Sequence, residues 1–225
     1  SIPFFKRYHK IIKDRNIIIL FQKTDDKRVI DFLNSLELLV IELEFNTKTI
    51  IGKDFSVTCL KDGFYDSGLY VETSSYNILN LNDCEVTTKE RIEEIKHSIG
   101  KVDCLLTQFS YAAWKGGREN STWRKQAAIE KIETIRLQAA ELKPKRIIPF
   151  ASFIYFSNFE NYYLNDEANT LDKLEASLSD VTGIELILMK PMDTMESIEC
   201  RWDNSPAKNF WSDHQPSEQN LNTYM

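Results

Sequence analysis

Residues 77–95 read NILNLNDCEVTTKERIEEI. Ile78, Leu79 and Leu81 are interleaved with asparagines, which is a strand pattern with Asp83 arriving where the strand should end. Six residues later the period changes: Ile92, Ile95 and Ile99 fall on one helical stripe over 87–99. Asp83 is therefore either a helix cap or a strand-end side chain kept for a ligand. Thr87 or Thr88, with Glu90 or Glu93, can close the first helical turn without it. That leaves the carboxylate free at a strand end, where α/β proteins gather their sites. Spacing alone leaves both readings open.

Upstream of this stretch, residues 16–21 (NIIILF) predict a buried strand, 25–36 a helix capped by Asp25 or Asp26, and 37–43 a second strand. This section reads β-α-β. The segments KTIIG, FSVTCL, GLYVET and YNILNL follow, separated by turns such as KDG and DSG, and predict an antiparallel meander. Downstream the style alternates: strand 102–108, a long helix 121–143 capped by Ser121 or Thr122, strand 144–150, helix 169–180 and strand 183–189. No element is expected beyond Pro191, and DHQPSEQNLNTYM reads as loop. The pattern predicts a layered α/β domain over 1–191 with an extension over 192–225. Too few strands are present to give the meander a facing sheet, so a missing segment or a partner chain is expected to complete the sandwich. The start at Ser1 rather than methionine suits a processed or trimmed chain.

The 225 residues are 42% hydrophobic and 28% charged, an ordinary globular mixture, and no apolar run reaches the eighteen or so residues of a membrane span. A net charge of −6 argues against general nucleic-acid binding. Cys59, Cys84, Cys104 and Cys200 form no CxxC pair, which suits a reduced, cytoplasmic protein and no cysteine-based zinc site. His9, His97 and His214 are the only histidines, and none pairs with another at ligand spacing.

Two loops collect polar and aromatic residues. After the strand at 102–108, Gln108, Ser110, Tyr111 and Trp114 precede a Gly-Gly turn, the material of a pocket wall or of a cover for a helix end. Ser110 lacks a G-x-S-x-G setting and a histidine to activate it. Lys115 and Arg118 could meet an anionic group, although a solvated loop is the commoner use. In 147–170, an aromatic run is followed by Asn158, Glu160, Asn161, Asn165, Asp166, Glu167 and Asn169. Such a loop either binds substrate or fixes itself by side-chain bonds to its own backbone.

Taken in order, NILNLNDC, VDCLLTQFSYAAWKGG and LKPKRIIPFASFIYFSNFENYYLND resemble the later half of a metallo-β-lactamase-fold protein, from about Asn16 to about Pro191. The subgroup they resemble holds the CMP-N-acetylneuraminate hydroxylases and neighbouring bacterial metal-dependent hydrolases. The resemblance implies a partial αββα sandwich lacking its amino-terminal part, with Asp83 as a metal ligand. The metal would be zinc, iron or manganese, and would activate water for attack on a small-molecule substrate. The loop at 158–169 and the wall from Gln108 to Trp114 would hold that substrate. The family's H-x-H-x-D-H motif is absent here and would lie before Ser1, and Asn158 stands where hydroxylase-like members carry a histidine. One carboxylate does not hold a metal, so the chain alone is expected to be inactive. Two alternatives remain: iron-dependent oxidation, and a binding module that has lost its metal site.

Overall fold

A computed structural model describes residues 2–82, 84–150 and 152–214. It opens with α1 (Ile2–Asp14), β1 (Ile18–Gln22), α2 (Arg28–Ser35) and β2 (Leu39–Leu43). The two strands pair in parallel from Ile18 opposite Leu39 to Gln22 opposite Leu43, giving the expected β-α-β unit. The unexpected α1 is amphipathic. Its Phe5, Tyr8 and Ile12 recur every three or four positions and pack with Leu33, Ile19 and Val40. Asp26 works just ahead of α2, where its carboxylate accepts the Arg28 backbone N–H at 3.0 Å.

The main sheet has seven strands lying side by side in sequence order: β3 (Lys48–Gly52), β4 (Phe55–Asp62), β5 (Asp66–Thr73), β6 (Asn77–Asn82), β7 (Cys104–Thr107), β8 (Arg146–Pro149) and β9 (Glu185–Leu186). β3 to β6 form the antiparallel meander, whereas β6 to β9 run parallel. Parallel neighbours need crossovers. α3 (Lys89–Ser98), α4 (Ser121–Leu142) and α5 (Leu171–Leu178) provide them. Leu79, Leu105 and Ile147 point to these helices and meet Ile92, Ile135 and Leu174 in one fully buried cluster. On the opposite face Cys104 and Ile148 pack with Ile187 and Ile198.

The helix ends show which polar residues are structural. Thr88 caps α3, its hydroxyl accepting the Arg91 N–H at 3.2 Å, and Thr170 caps α5 through the Lys173 N–H. Neither Ser121 nor Thr122 caps α4; both lie inside its first turn, after Asn120. Asn120 turns its carbonyl oxygen to the Gly117 N–H instead.

Leu20 and Leu43 of the small sheet pack on Val57, Cys59, Leu69 and Val71 of the large one. The order is thus helices, small sheet, large sheet, helices. The small sheet is only two strands wide and parallel. Ile18, Leu39 and Ile41 share its inner face with Leu20 and Leu43 yet remain 51%, 59% and 40% exposed. Beyond Pro191 the chain keeps to the sheet: Arg146 reaches the carbonyls of Ser197 and Cys200, and α6 (Ser205–Asp213) follows. The expected loop from 215 onward lies outside the described residues. No helix among those described is long and apolar enough to cross a membrane.

Asp103 fastens the parallel strands at their amino ends. Its carboxylate accepts the Asn77 N–H at 3.1 Å and pairs with Lys101 at 2.9 Å. Burial opposes its ionisation, but these donors and Lys145 outweigh that and hold its pKa below the ordinary value. A depressed folded pKa gives stability that is complete above the unfolded value, about 3.9, and lost as pH falls through the folded one. Wild type should therefore exceed Asp103→Asn in urea midpoint at pH 6, and the gap should shrink as pH falls below about 3.9. A gap that persists at low pH would show that the ionised carboxylate is not the source.

Candidate functional site

Strands β6, β7 and β8 end side by side, which is where a parallel sheet opens a crevice. The end of β6 is irregular. Its register against β7 shifts between Asn80 and Asn82, and Asn82 takes a left-handed φ of 49° that asparagine tolerates. The Asn80 side chain accepts the Asn82 N–H at 2.9 Å, and Cys84 N–H returns to Leu81 O at 2.8 Å. The chain thus leaves the sheet sharply. Asp83 itself lies outside the described residues, but the cap of α3 is Thr88, so the helix does not need it.

Metal-ligand chemistry is thin around this edge. Among the described residues no group of three or more His, Cys, Asp and Glu could hold a metal ion. His97 is bonded to the Glu93 carbonyl on α3, and His9 to that of Lys6 on α1. The donor set among the described residues does not amount to a metal site.

The loops after β7 and β8 are locked together by Arg124 of α4. This guanidinium is fully buried and grips Asp166 with two bonds, Nε to Oδ1 at 2.7 Å and Nη2 to Oδ2 at 2.8 Å. It also donates to the carbonyls of Gly117 at 2.6 Å and Arg118 at 3.2 Å. Tyr163 adds a bond from its hydroxyl to Gly116 O at 3.0 Å, beneath the guanidinium. Gly116 sits at φ 81°, and a Cβ there would fall 2.5 Å from that of Asn120, so the turn requires glycine.

Half of the expected substrate residues spend their side chains on this scaffold. Tyr111 is buried, its hydroxyl donating to Leu164 O at 2.6 Å, and burial pushes its pKa to about 12. Ser110 is buried and accepts the Asn169 N–H at 2.9 Å. Asn165 spends its amide on Phe156 N–H, Phe156 O and Tyr162 O, and Asn161 accepts the Asn158 N–H. Gln108 and Asn158 are half-buried, and Glu160 is exposed. Trp114 is 62% exposed, edge-on to Trp123 at 5.7 Å. Arg118 and Lys115 lie over aromatic rings, at Tyr163 and Trp123.

A cavity of about 440 Å³ opens between the loop after β8 and α6, and of the residues the sequence singled out Asn165 and Asn169 line it. Its wall includes Phe109, Phe153, Phe210, Trp211 and His214. The aromatic run at 150–156 signalled half of this wall. The other half belongs to α6, whose short period gave no sign in the sequence.

No family model matches the chain, and no curated protein matches it. Solved structures do. A mutant of the CmlA β-hydroxylase is 13% identical over 75% of this chain and 37% of its own, at a TM-score of 0.51. CmlA itself, a diiron β-hydroxylase from Streptomyces venezuelae, is 14% identical over 59% and 30%, at 0.45. The metallo-β-lactamase fold protein YhfI from Bacillus subtilis is 11% identical over 82% and 68%, at 0.49. The likeness is one of fold. The mixed sheet between helices agrees with the layered α/β architecture expected from the sequence. The chain spans about a third of the length of the CmlA chains.

Removing Asp166 would strand a buried cation. Asp166→Ala should cost about 3 kcal/mol, the low end for a broken buried pair because Asp166 is itself partly exposed. Arg124→Lys should not restore wild-type stability, since a lysine cannot make the two-pronged contact and reach both carbonyls. Urea titrations of the two variants check this, and a loss under about 0.5 kcal/mol in both would show the pair to be incidental.

Proposed function

We propose that this chain is the carboxyl-terminal portion of a metal-dependent hydrolase of the metallo-β-lactamase type. The observation that carries the reading is the end of β6, where a register shift and a left-handed Asn82 close the strand immediately before Asp83 in the sequence, while the cap of α3 is already filled by Thr88. A carboxylate there can serve as one ligand for a divalent metal, with zinc, iron and manganese all compatible with oxygen. The remaining ligands would come from outside the described residues. The half-covered small sheet supports such a completion: two parallel strands with open edges and three exposed apolar side chains offer a place for another strand. The completing piece would be an upstream segment or a partner chain.

In this reading the chain's own residues build the substrate-facing scaffold and hold it rigid through Arg124. The substrate would be a small molecule. The absence of a disulfide among the four cysteines suits a cytoplasmic setting. Oxidative chemistry is a second reading, favoured by the fold likeness to the CmlA β-hydroxylase at a TM-score of 0.51.

The test compares two proteins by elemental analysis and activity. The isolated chain should carry less than stoichiometric metal and hydrolyse no ester or phosphodiester. A longer form that includes the completing segment should carry metal, and Asp83→Ala should remove most of it. Metal retained in full by Asp83→Ala would sink the ligand assignment. Oxygen consumption coupled to substrate hydroxylation, without hydrolysis, would favour the second reading. Leu39→Lys with Ile41→Lys should change the isolated chain's stability by under about 0.5 kcal/mol, because both are exposed, yet weaken binding of the completing segment.

A further inference from the structure

The cavity beside α6 has a wall made of rings in continuous contact. Phe109 touches Phe153 at 5.1 Å between centroids, and Phe153 stacks on Trp211 at 4.1 Å and 16°. Trp211 meets Phe210 edge-on, and Phe210 stacks on His214 at 4.1 Å. The indole is held in place by its N–H bond to Met189 O at 2.8 Å. Such an array prefers flat partners that can add another stacked or edge-on ring.

The polar side chains of the same wall are directed elsewhere. Ser152 accepts the N–H groups of Phe109 and Ser110 and donates to Ser110 O. Asn169 donates to Phe109 O and Ala128 O, Asn165 serves Phe156 and Tyr162, and Thr170 caps α5. The interior they leave is apolar and aromatic. Its volume is in the range of small-molecule sites.

Three polar groups remain on the wall: the Tyr155 hydroxyl, which can donate or accept, and two acceptors contributed by the end of α6. His214 Nδ1 lies 2.6 Å from Phe210 O, and a carbonyl can only accept, so Nδ1 carries the hydrogen. The neutral ring then keeps a lone pair on Nε2. The neighbouring Asp213 adds a carboxylate.

We propose that this cavity is a binding site for a planar aromatic group that carries an uncharged hydrogen-bond donor, as a phenol does, and that it discriminates against aromatic carboxylates. The site is independent of the metal reading above, and its test involves neither metal nor turnover. Calorimetric titration of the chain at pH 8 would use 4-methylphenol, 4-methylanisole and phenylacetate, which share a ring and differ in donor and charge. 4-Methylphenol should bind with a dissociation constant below about 1 mM, 4-methylanisole about five-fold more weakly, and phenylacetate about ten-fold more weakly or not at all. Trp211→Ala should weaken 4-methylphenol binding about ten-fold, with folding checked by circular dichroism. His214→Ala removes an exposed side chain, so folding should survive, and should bring 4-methylphenol to the level of 4-methylanisole. No binding of 4-methylphenol to folded wild type overturns the proposal. So does phenylacetate bound as tightly, or an unchanged preference in His214→Ala.

Discussion

The guanidinium of Arg124 decides the shape of everything beyond the carboxyl ends of the parallel strands. It comes from the first turn of α4, is sealed from solvent, and holds a carboxylate from one loop and two carbonyls from another. An arginine buried without such partners would cost several kcal/mol, so the two loops are ordered together or not at all. The bond is directional as well as strong. A planar fork against a carboxylate fixes orientation along two parallel contacts, and this sets where Tyr163 and the Gly116 turn must lie.

That constraint explains why so many polar side chains in 108–170 look like ligands in the sequence and behave as struts in the fold. A long loop without regular structure leaves its own N–H and C=O groups unpaired. Asparagine and serine satisfy them because each can donate and accept over short reach. Asn165 bonds three backbone groups around a single 3₁₀ turn, Tyr162–Asn165, and Asn169 ties that loop to the end of β7 and to α4. The sequence shows the crowding but not its direction, since the partners are set by loops that meet only once Arg124 has joined them.

The sheet was far easier to read. Alternation in the meander and the Thr88 cap rest on local periodicity or local bonding, and local signals survive into the fold, whereas the continuous Ile and Leu at 17–20 form a strand that is not buried as expected: Ile17 and Ile18 stay 45% and 51% exposed. α1 and α6 escaped for the same reason in reverse. α1 mixes exposed Ile2, Phe4 and Ile11 with its buried stripe, which blurs the period, and α6 buries only Ala207 fully while its aromatics face a cavity. The seal on the small sheet is incomplete for a reason that periodicity cannot report. Alternation tells which side of a strand is apolar, and not whether another strand covers it.

The two candidate centres therefore differ in kind although they share one edge of the molecule. β6 ends at Asn82, Phe109 follows β7 and Ser152 follows β8, so these ends succeed one another along adjacent strands. Near β6 the chain leaves the sheet through a register shift and a left-handed Asn82 that asparagine accommodates, and the following helix takes its cap from Thr88. Near β7 and β8 the polar design is closed, with every serine and asparagine of the cavity wall bonded to backbone and the rings left to face the space. A fold that satisfies its amides this thoroughly on one side holds the ring wall rigid without help. The acid that follows β6 in the sequence is assigned to a metal only in the proposal above, and the struts of the other two loops do not depend on that assignment.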